Sequence, residues 1–216
     1  MKLISKSEAS NVYLNDDEIT VSKKFKRDKD FQHEKEILKK LKENDICNHS
    51  QIITYDNVNK TIKLIYIPFN LEEMCGKVEN SSKFQIIDSN ILIYKILMIL
   101  ESLHKHEIVH GDFKAKNIQL NISNKPFIID YDLTVIKFKS RENMLELMND
   151  DLYKMKLLII QLQNNLDYKS TYTNVKKHIK NINKTSPLLS QLLENKKYNI
   201  SLLLEYFKMK SNQNKI

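Results

Sequence analysis

Only two glycines, Gly76 and Gly111, stand among the 216 residues, with three prolines beside them. Average usage would place roughly fifteen glycines in a chain of this length. Collagen, silk and flexible-linker classes are excluded at once. Any function that relies on a glycine-rich loop meets immediate difficulty. Disorder is excluded as well, because 41% of the residues are hydrophobic, including 27 Ile, which is ample apolar surface to bury. The proportions fit one globular domain, or two small lobes sharing a core.

The formal net charge is +8, and the cations are lysine except for Arg27 and Arg141. Lysine attracts polyanions diffusely, whereas arginine supplies the bidentate forks used for base and phosphate recognition. The joint abundance of Lys, Asn and Ile points to A/T-rich codons rather than to selection for a basic surface. Basicity therefore admits nucleic-acid contact without establishing it. Cys47 and Cys75 lack a CxxC spacing, so neither a disulfide framework nor a cysteine zinc site is indicated. The opening MKLISKSEAS carries no apolar signal run. The most apolar window, Ile91 to Leu103, is shorter than the ~20 residues of a bilayer span and contains Lys95 and Glu101. A cytoplasmic protein without membrane segments is expected.

Along the chain, Ile19, Val21, Lys23 and Phe25 alternate with polar residues, which predicts a strand with one lysine on its apolar face. Asn15-Asp16-Asp17 before it is turn chemistry and predicts a hairpin. Residues 28 to 43 predict a charged helix with an apolar stripe of Phe31, Ile37, Leu38 and Leu41. Ile62 to Ile67 predicts a strand stopped by Pro68. Ile91 to Leu103 is apolar almost all round and predicts a buried helix. A hairpin is expected from Ile118, Leu120 and Ile122 through Ser123-Asn124 to Phe127-Ile128-Ile129, and residues 143 to 209 read as helical. Strands first and helices afterwards predict an α+β chain of two lobes.

The densest chemistry lies in IVHGDFKAKNIQL, residues 108 to 120, followed by FIIDYD at 127 to 132. His110, Asp112, Lys114 and Asn117 share one short loop, and Asp130 ends the next strand. Asp and Asn oxygens suit Mg²⁺, and a lysine can neutralise a phosphoryl group in transfer. The pattern resembles the eukaryotic-type protein kinases, whose catalytic loop reads H-R-D-L-K-x-x-N and whose metal loop reads D-F-G. The match to H-x-D-x-K-x-x-N is complete, with Gly111 at the position where the family has Arg.

The resemblance extends over most of the chain. Thr20 to Phe25 resembles the V-A-I-K strand, which implies that Lys23 holds the nucleotide's α/β-phosphates. A buried strand lysine needs an anionic partner. His33 to Leu38 resembles the kinase αC helix and implies Glu34 as that partner, with Glu36 about 200° away round the helix. Asp150 to Met155 resembles the start of the central helix of the large lobe, and implies that Asp151 holds the catalytic-loop backbone. The family thus implies a small β-rich N-lobe of about 1–67 with one αC helix, a hinge of about 68–72, and a mainly helical C-lobe of about 73–216. It also implies ATP and Mg²⁺ as cofactors, Asp112 and Lys114 as catalytic residues, and Asn117 and Asp130 as metal ligands.

Three departures bear on function. Ile4-Ser5-Lys6-Ser7-Glu8-Ala9-Ser10-Asn11-Val12 matches the frame of the phosphate-binding hairpin, but Ser5, Ser7 and Ser10 replace its glycines. Serine could still serve through backbone N–H groups or hydroxyls, with closer approach lost and lower nucleotide affinity expected. Asp132 fills the metal-loop glycine position and brings a second carboxylate beside the metal site. Only 21 residues separate Asp130 from Asp151 and no A-P-E is present, so switching by activation-loop phosphorylation is not expected. The H-G-D form and the short segment are similar to the small kinase subunit of the tRNA threonylcarbamoyladenosine-modifying complex, whereas Lys114 matches ordinary Ser/Thr kinases. The expected function is ATP/Mg-dependent phosphorylation of a Ser/Thr hydroxyl on a protein substrate. The alternatives are a pseudokinase or ATP-binding scaffold, a small-molecule kinase, and an ATPase of an RNA-modifying assembly.

Overall fold

β1 (Lys2–Lys6), β2 (Ser10–Leu14) and β3 (Thr20–Phe25) run as an antiparallel meander. The computed structural model describes residues 1–75, 88–164, 166, 168–195 and 197–213. The β2–β3 turn is closed by side-chain chemistry instead of glycine. One carboxylate oxygen of Asp17 accepts from the backbone N–H of Ile19 at 3.1 Å and of Thr20 at 2.9 Å. Glu18 takes the left-handed backbone, φ 54°, inside that turn. Ile19 consequently belongs to the turn, not to the apolar face of the strand, and is 69% exposed. The alternation holds from Val21 onward, where Val21, Lys23 and Phe25 are all buried.

α1 (Asp28–Glu43) covers the expected residues. Asp28 and Asp30 lie in its first turn and Lys40 and Lys42 in its last, both favourable to the helix dipole. Phe31, Ile37, Leu38 and Leu41 are fully buried, and each such side chain contributes roughly 1.5–3 kcal/mol by leaving water. Glu34 lies on the same buried stripe. β4 (Ile52–Asp56) and β5 (Thr61–Ile65) complete a five-stranded antiparallel sheet of order β1-β2-β3-β5-β4. In its centre Lys23 faces Val12 on one side and Ile62 on the other.

β6 (Phe69–Asn70) leads into α2 (Leu71–Met74), where the Asn70 side chain accepts from the Glu72 N–H at 2.9 Å. α3 (Ser89–Lys105) is capped by Asp88, whose carboxylate accepts from Asn90 and Ile91. β7 (Ile118–Leu120) and β8 (Pro126–Ile128) join β6 in a small sheet of order β6-β7-β8. The hairpin turns at Asn124, φ 56°, and Ile122 lies outside the strand, 83% exposed. The second strand also ends one residue early: the Ile129 N–H still donates across to the Asn117 carbonyl at 3.0 Å, but the Asn117 N–H turns back to the Lys114 carbonyl at 2.9 Å and the ladder closes there.

The rest is helical: α4 (Arg141–Gln163), α5 (Tyr168–Thr173), α6 (Val175–Thr185), α7 (Pro187–Glu194) and α8 (Ile200–Gln213). Ser140 caps α4, accepting from the Asn143 N–H. α3 buries Leu92, Ile93, Ile96, Leu97, Leu100 and Leu103 against a core that includes Leu203 and Phe207 of α8. Buried residues of the large sheet, among them Val21 and Ile62, belong to the same continuous cluster. Among the described residues no helix is long and apolar enough to cross a membrane.

Candidate active site

Two groups of polar side chains converge where β3, α1, the 110–117 loop and the end of β8 meet. The first centres on Lys23. Its ammonium donates to Glu34 Oε2 at 2.6 Å, Asp132 Oδ1 at 2.9 Å and Asp130 Oδ1 at 3.0 Å. Lys23 and Glu34 are 7% and 2% exposed at the side chain, so they form a buried pair between strand and helix. Glu36, the other acid of the segment, points elsewhere and pairs with Lys137 at 2.8 Å.

Electrostatically this group is crowded. Burial alone would push the Lys23 ammonium down, but Glu34, Asp130 and Asp132 outweigh it and hold the group above its ordinary value. Burial pushes the Glu34 carboxyl up, with Lys23 pulling the other way. Burial would also raise Asp132, yet Lys23 and hydrogen bonds to Glu34 and Asp130 bring it below the usual carboxylate range. Oxygens of Glu34, Asp130 and Asp132 lie within 4.8 Å of one another. Asp130 reaches this position with a left-handed backbone, φ 65°, at the turn after β8. That single reversal directs both Asp130 and, two residues on, Asp132 to the same lysine.

The second group centres on Asp112. Its Oδ2 forms an ion pair with Lys114 Nζ at 2.7 Å and accepts from Asn117 Nδ2 at 2.9 Å. The same Asn117 amide donates to the Asp112 carbonyl at 2.9 Å, so the loop is tied across its own width. Both side-chain contacts fall on Oδ2, and among the described residues Asp112 Oδ1 accepts no hydrogen bond. The two groups are linked through the backbone by the Ile129–Asn117 hydrogen bond and through His110.

His110 is fully buried, and burial lowers its pKa, so the ring is neutral. The Asp112 N–H donates to His110 Nδ1 at 3.2 Å, which leaves Nε2–H to donate to the Ile129 carbonyl at 3.1 Å. The ring packs against Phe113 and Tyr131, with centroids 5.8 Å and 5.2 Å away. One imidazole thus fixes the catalytic-loop candidate relative to the metal-loop candidate.

Asp151 of α4 supports the loop from below. Its carboxylate is fully buried and accepts from the His110 N–H at 2.7 Å and the Gly111 N–H at 2.9 Å. The backbone role expected for this residue is the one it occupies. His104 adds a third contact at 3.3 Å. Gly111 itself has φ +79°, and a Cβ there would lie 2.3 Å from the Leu133 carbonyl oxygen. No side chain fits at this position, arginine included.

Sequence reasoning did not foresee two further supports. Lys154 donates to the Gly111 carbonyl at 2.6 Å and pairs with Asp150 at 2.8 Å. The Asp150-to-Lys154 spacing, one helical turn, was the available signal. The Thr134 hydroxyl donates to the His110 carbonyl at 3.1 Å, and nothing local in sequence marks it.

The expected phosphate-binding hairpin is β1 and β2. Ile4 and Ser5 lie on exposed β1, Val12 packs against the core opposite Lys23, and Ser10 is buried at the start of β2. The turn between them is closed on itself. The Ser7 N–H donates to the Ser10 carbonyl at 2.8 Å, and the Ser10 N–H donates to Ser7 Oγ at 3.0 Å. Lys26 clips the turn to the end of β3 through the Ser7 carbonyl at 2.6 Å. Two N–H groups and one hydroxyl proposed from sequence as phosphate donors are therefore occupied internally.

No protein-family profile matches the chain. Over 85 residues, 37% of this chain, it is 32% identical to a sensor for unfolded proteins in the ER, ire1, of Schizosaccharomyces pombe, covering 8% of that protein. Over 92 residues, 41% of this chain, it is 29% identical to a protein of Dictyostelium discoideum described as a probable serine/threonine-protein kinase, mkcC, covering 10% of it. The chain thus spans about a tenth or less of the length of these curated relatives. Partial similarity of this extent supports a kinase-like relationship.

Proposed function

We propose that the chain is a kinase-like phosphotransferase that uses ATP and Mg²⁺ to phosphorylate a Ser/Thr hydroxyl of a protein substrate. The observation that carries this reading is the buried Lys23–Glu34 pair meeting Asp130, more than a hundred residues later in sequence, at 3.0 Å. Burying an ammonium is costly unless acids are placed to pair with it, and here a helix acid and a strand-end acid far apart in sequence are both brought to it. In this reading residues 1–67 form a nucleotide-facing lobe, 68–72 a hinge, and 73–216 the larger lobe, of which 76–87 lie outside the described residues.

The donors fit the implied cofactors. Asp130 offers carboxylate oxygens, and Asn117 Oδ1 stays available because its amide N–H groups are spent on Asp112. Such hard oxygens suit Mg²⁺. When bound, Mg·ATP would supply the electrophilic phosphoryl group and neutralise part of its charge. Lys23 would hold phosphate oxygens, with Glu34 keeping its ammonium in place. Asp112 Oδ1 would orient the acceptor hydroxyl and take its proton, while Lys114 beside it offsets the developing charge.

A second reading, an ATP-binding module without turnover, is favoured by the Asp132 contact on Lys23 and by the closed Ser7–Ser10 turn. The short segment between Asp130 and Asp151 suits a small-molecule acceptor or an ATPase role as well. Titrating Mg·ATP while following thermal stability, then screening basic proteins, peptides and small alcohols as acceptors, separates these cases. Stabilisation together with labelling of a protein hydroxyl is the expected result. Stabilisation with no acceptor labelled would favour the module.

A further inference from the structure

A lysine ammonium has three N–H bonds, and on Lys23 all three are taken, by Glu34, Asp130 and Asp132. Any phosphate oxygen that binds Lys23 must displace one of them. Glu34 is the contact least able to yield. It is the shortest at 2.6 Å, it is 2% exposed, and it sits on the buried stripe of α1 between Phe31 and Leu38. Asp130 and Asp132 are 43% and 24% exposed at their side chains, toward the open side of the group. On the reading above, Asp130 has a second partner waiting in the metal, so leaving Lys23 costs it little. Asp132 has no such partner assigned, and it stands where a glycine would offer no side chain at all.

Charge points the same way. Three carboxyl groups surround one ammonium, so acidic groups already outnumber the cation before any nucleotide arrives. An incoming polyphosphate adds more negative charge to that site. Part of this repulsion is inherent in the Glu34 and Asp130 pair, but the increment from Asp132 is peculiar to this chain.

We infer that Asp132 is a built-in competitor for nucleotide phosphate, holding the third N–H of Lys23 and thereby setting this protein's affinity for nucleoside di- and triphosphates. The inference rests on the nucleotide-binding reading above. It converts the unusual residue from a decoration of the metal loop into an affinity-determining one. It also predicts an order of variants. Asp132→Gly removes the competitor, and Asp132→Asn leaves a neutral acceptor that competes less.

The test is calorimetric titration of the intact chain and both variants with ADP and with ATP, each in the presence of Mg²⁺. Replacing a charge-assisted hydrogen bond sets the expected gain at about tenfold in affinity for Asp132→Gly, with Asp132→Asn between it and the parent. A companion measurement needs no nucleotide. Acylation of Lys23 by a water-soluble acetylating reagent, followed by peptide mass spectrometry, should be faster in Asp132→Gly. Equal or weaker nucleotide binding by Asp132→Gly, with the parent binding normally, overturns the inference and leaves the nucleotide reading intact. Faster acylation of Lys23 with no nucleotide bound by any variant overturns the reading, and the competitor role with it. Unchanged acylation shows that the Asp132 contact does not restrain Lys23, and overturns the inference by itself.

Discussion

Replacing Gly111 by alanine should damage the fold out of proportion to one methyl group. The residue sits at φ +79°, a conformation that costs an L-residue about 1–2 kcal/mol. The added Cβ would also lie 2.3 Å from the Leu133 carbonyl oxygen and 3.1 Å from its carbon. That neighbour is backbone and cannot simply swing aside. It is held on its C-terminal side by Thr134, which donates to the Tyr131 and His110 carbonyls, and by the two hydrogen bonds between Val109 and Val135. Overpacking against such a wall costs about 1–3 kcal/mol. The sum is about 2–5 kcal/mol, or a fall in Tm of roughly 4–20 °C for a domain of this size. Gly111→Arg, which would restore the residue usual in the resembled family, should be at least as harmful. Thermal melting by circular dichroism measures this directly, with Lys116→Ala, an exposed change in the same loop, as the control. A Gly111→Ala protein melting within about 1 °C of the parent would refute the reasoning.

Asp151→Ala should destabilise by about 1–4 kcal/mol, because it leaves the buried His110 N–H and the part-buried Gly111 N–H without an acceptor. Asp151→Asn keeps one acceptor oxygen and should cost less, and urea midpoints at unchanged slope report both. Lys156, buried in α4 beside the Asn195 carbonyl, has its pKa pushed down to about 8 by burial. Between about 8 and its ordinary 10.5, the unfolded chain binds a proton that the folded chain has released, so this lysine makes stability rise with pH across that window. Lys156→Met should flatten the rise, seen as a parent-minus-variant difference in stability that changes between pH 8 and 10. A difference constant with pH would show that the lysine titrates normally.

Much of the site was legible because physical constraints met in single residues. Lys23 stood out as one cation on the apolar face of a strand, and Glu34 because its rival Glu36 lies on the far side of α1. Helix 28–43 was marked by its apolar stripe of Phe31, Ile37, Leu38 and Leu41, all of them buried. Asp151 was foreseen as a backbone anchor only through the resemblance of Asp150 to Met155 to the kinase family, not from any physical constraint in its own segment. What escaped were features decided by left-handed backbone and by contacts distant in sequence. Ile19 looked like strand but became turn when Glu18 adopted a positive φ. Asp132 was foreseen as a second carboxylate, yet its bond to Lys23 follows from the reversal at Asp130. The serines of the first hairpin read as phosphate donors, whereas Ser7 and Ser10 satisfy one another. Glycine scarcity itself resolves locally. Asp, Asn and Ser side chains close the turns, and Gly111 stays where a Cβ would strike backbone.

The central claim is that Asp112 orients and deprotonates an acceptor hydroxyl for phosphoryl transfer. The most direct measurement is transfer of radiolabelled γ-phosphate from Mg·ATP, to the chain itself or to a basic protein, by the parent and by Asp112→Asn. Nucleotide binding by the two proteins is checked to be equal. Removing a general base of this kind typically costs 10²–10⁴-fold, so the account predicts clear labelling by the parent and a loss of that order in the variant. Equal labelling by both proteins, or none by either at saturating Mg·ATP, would contradict it.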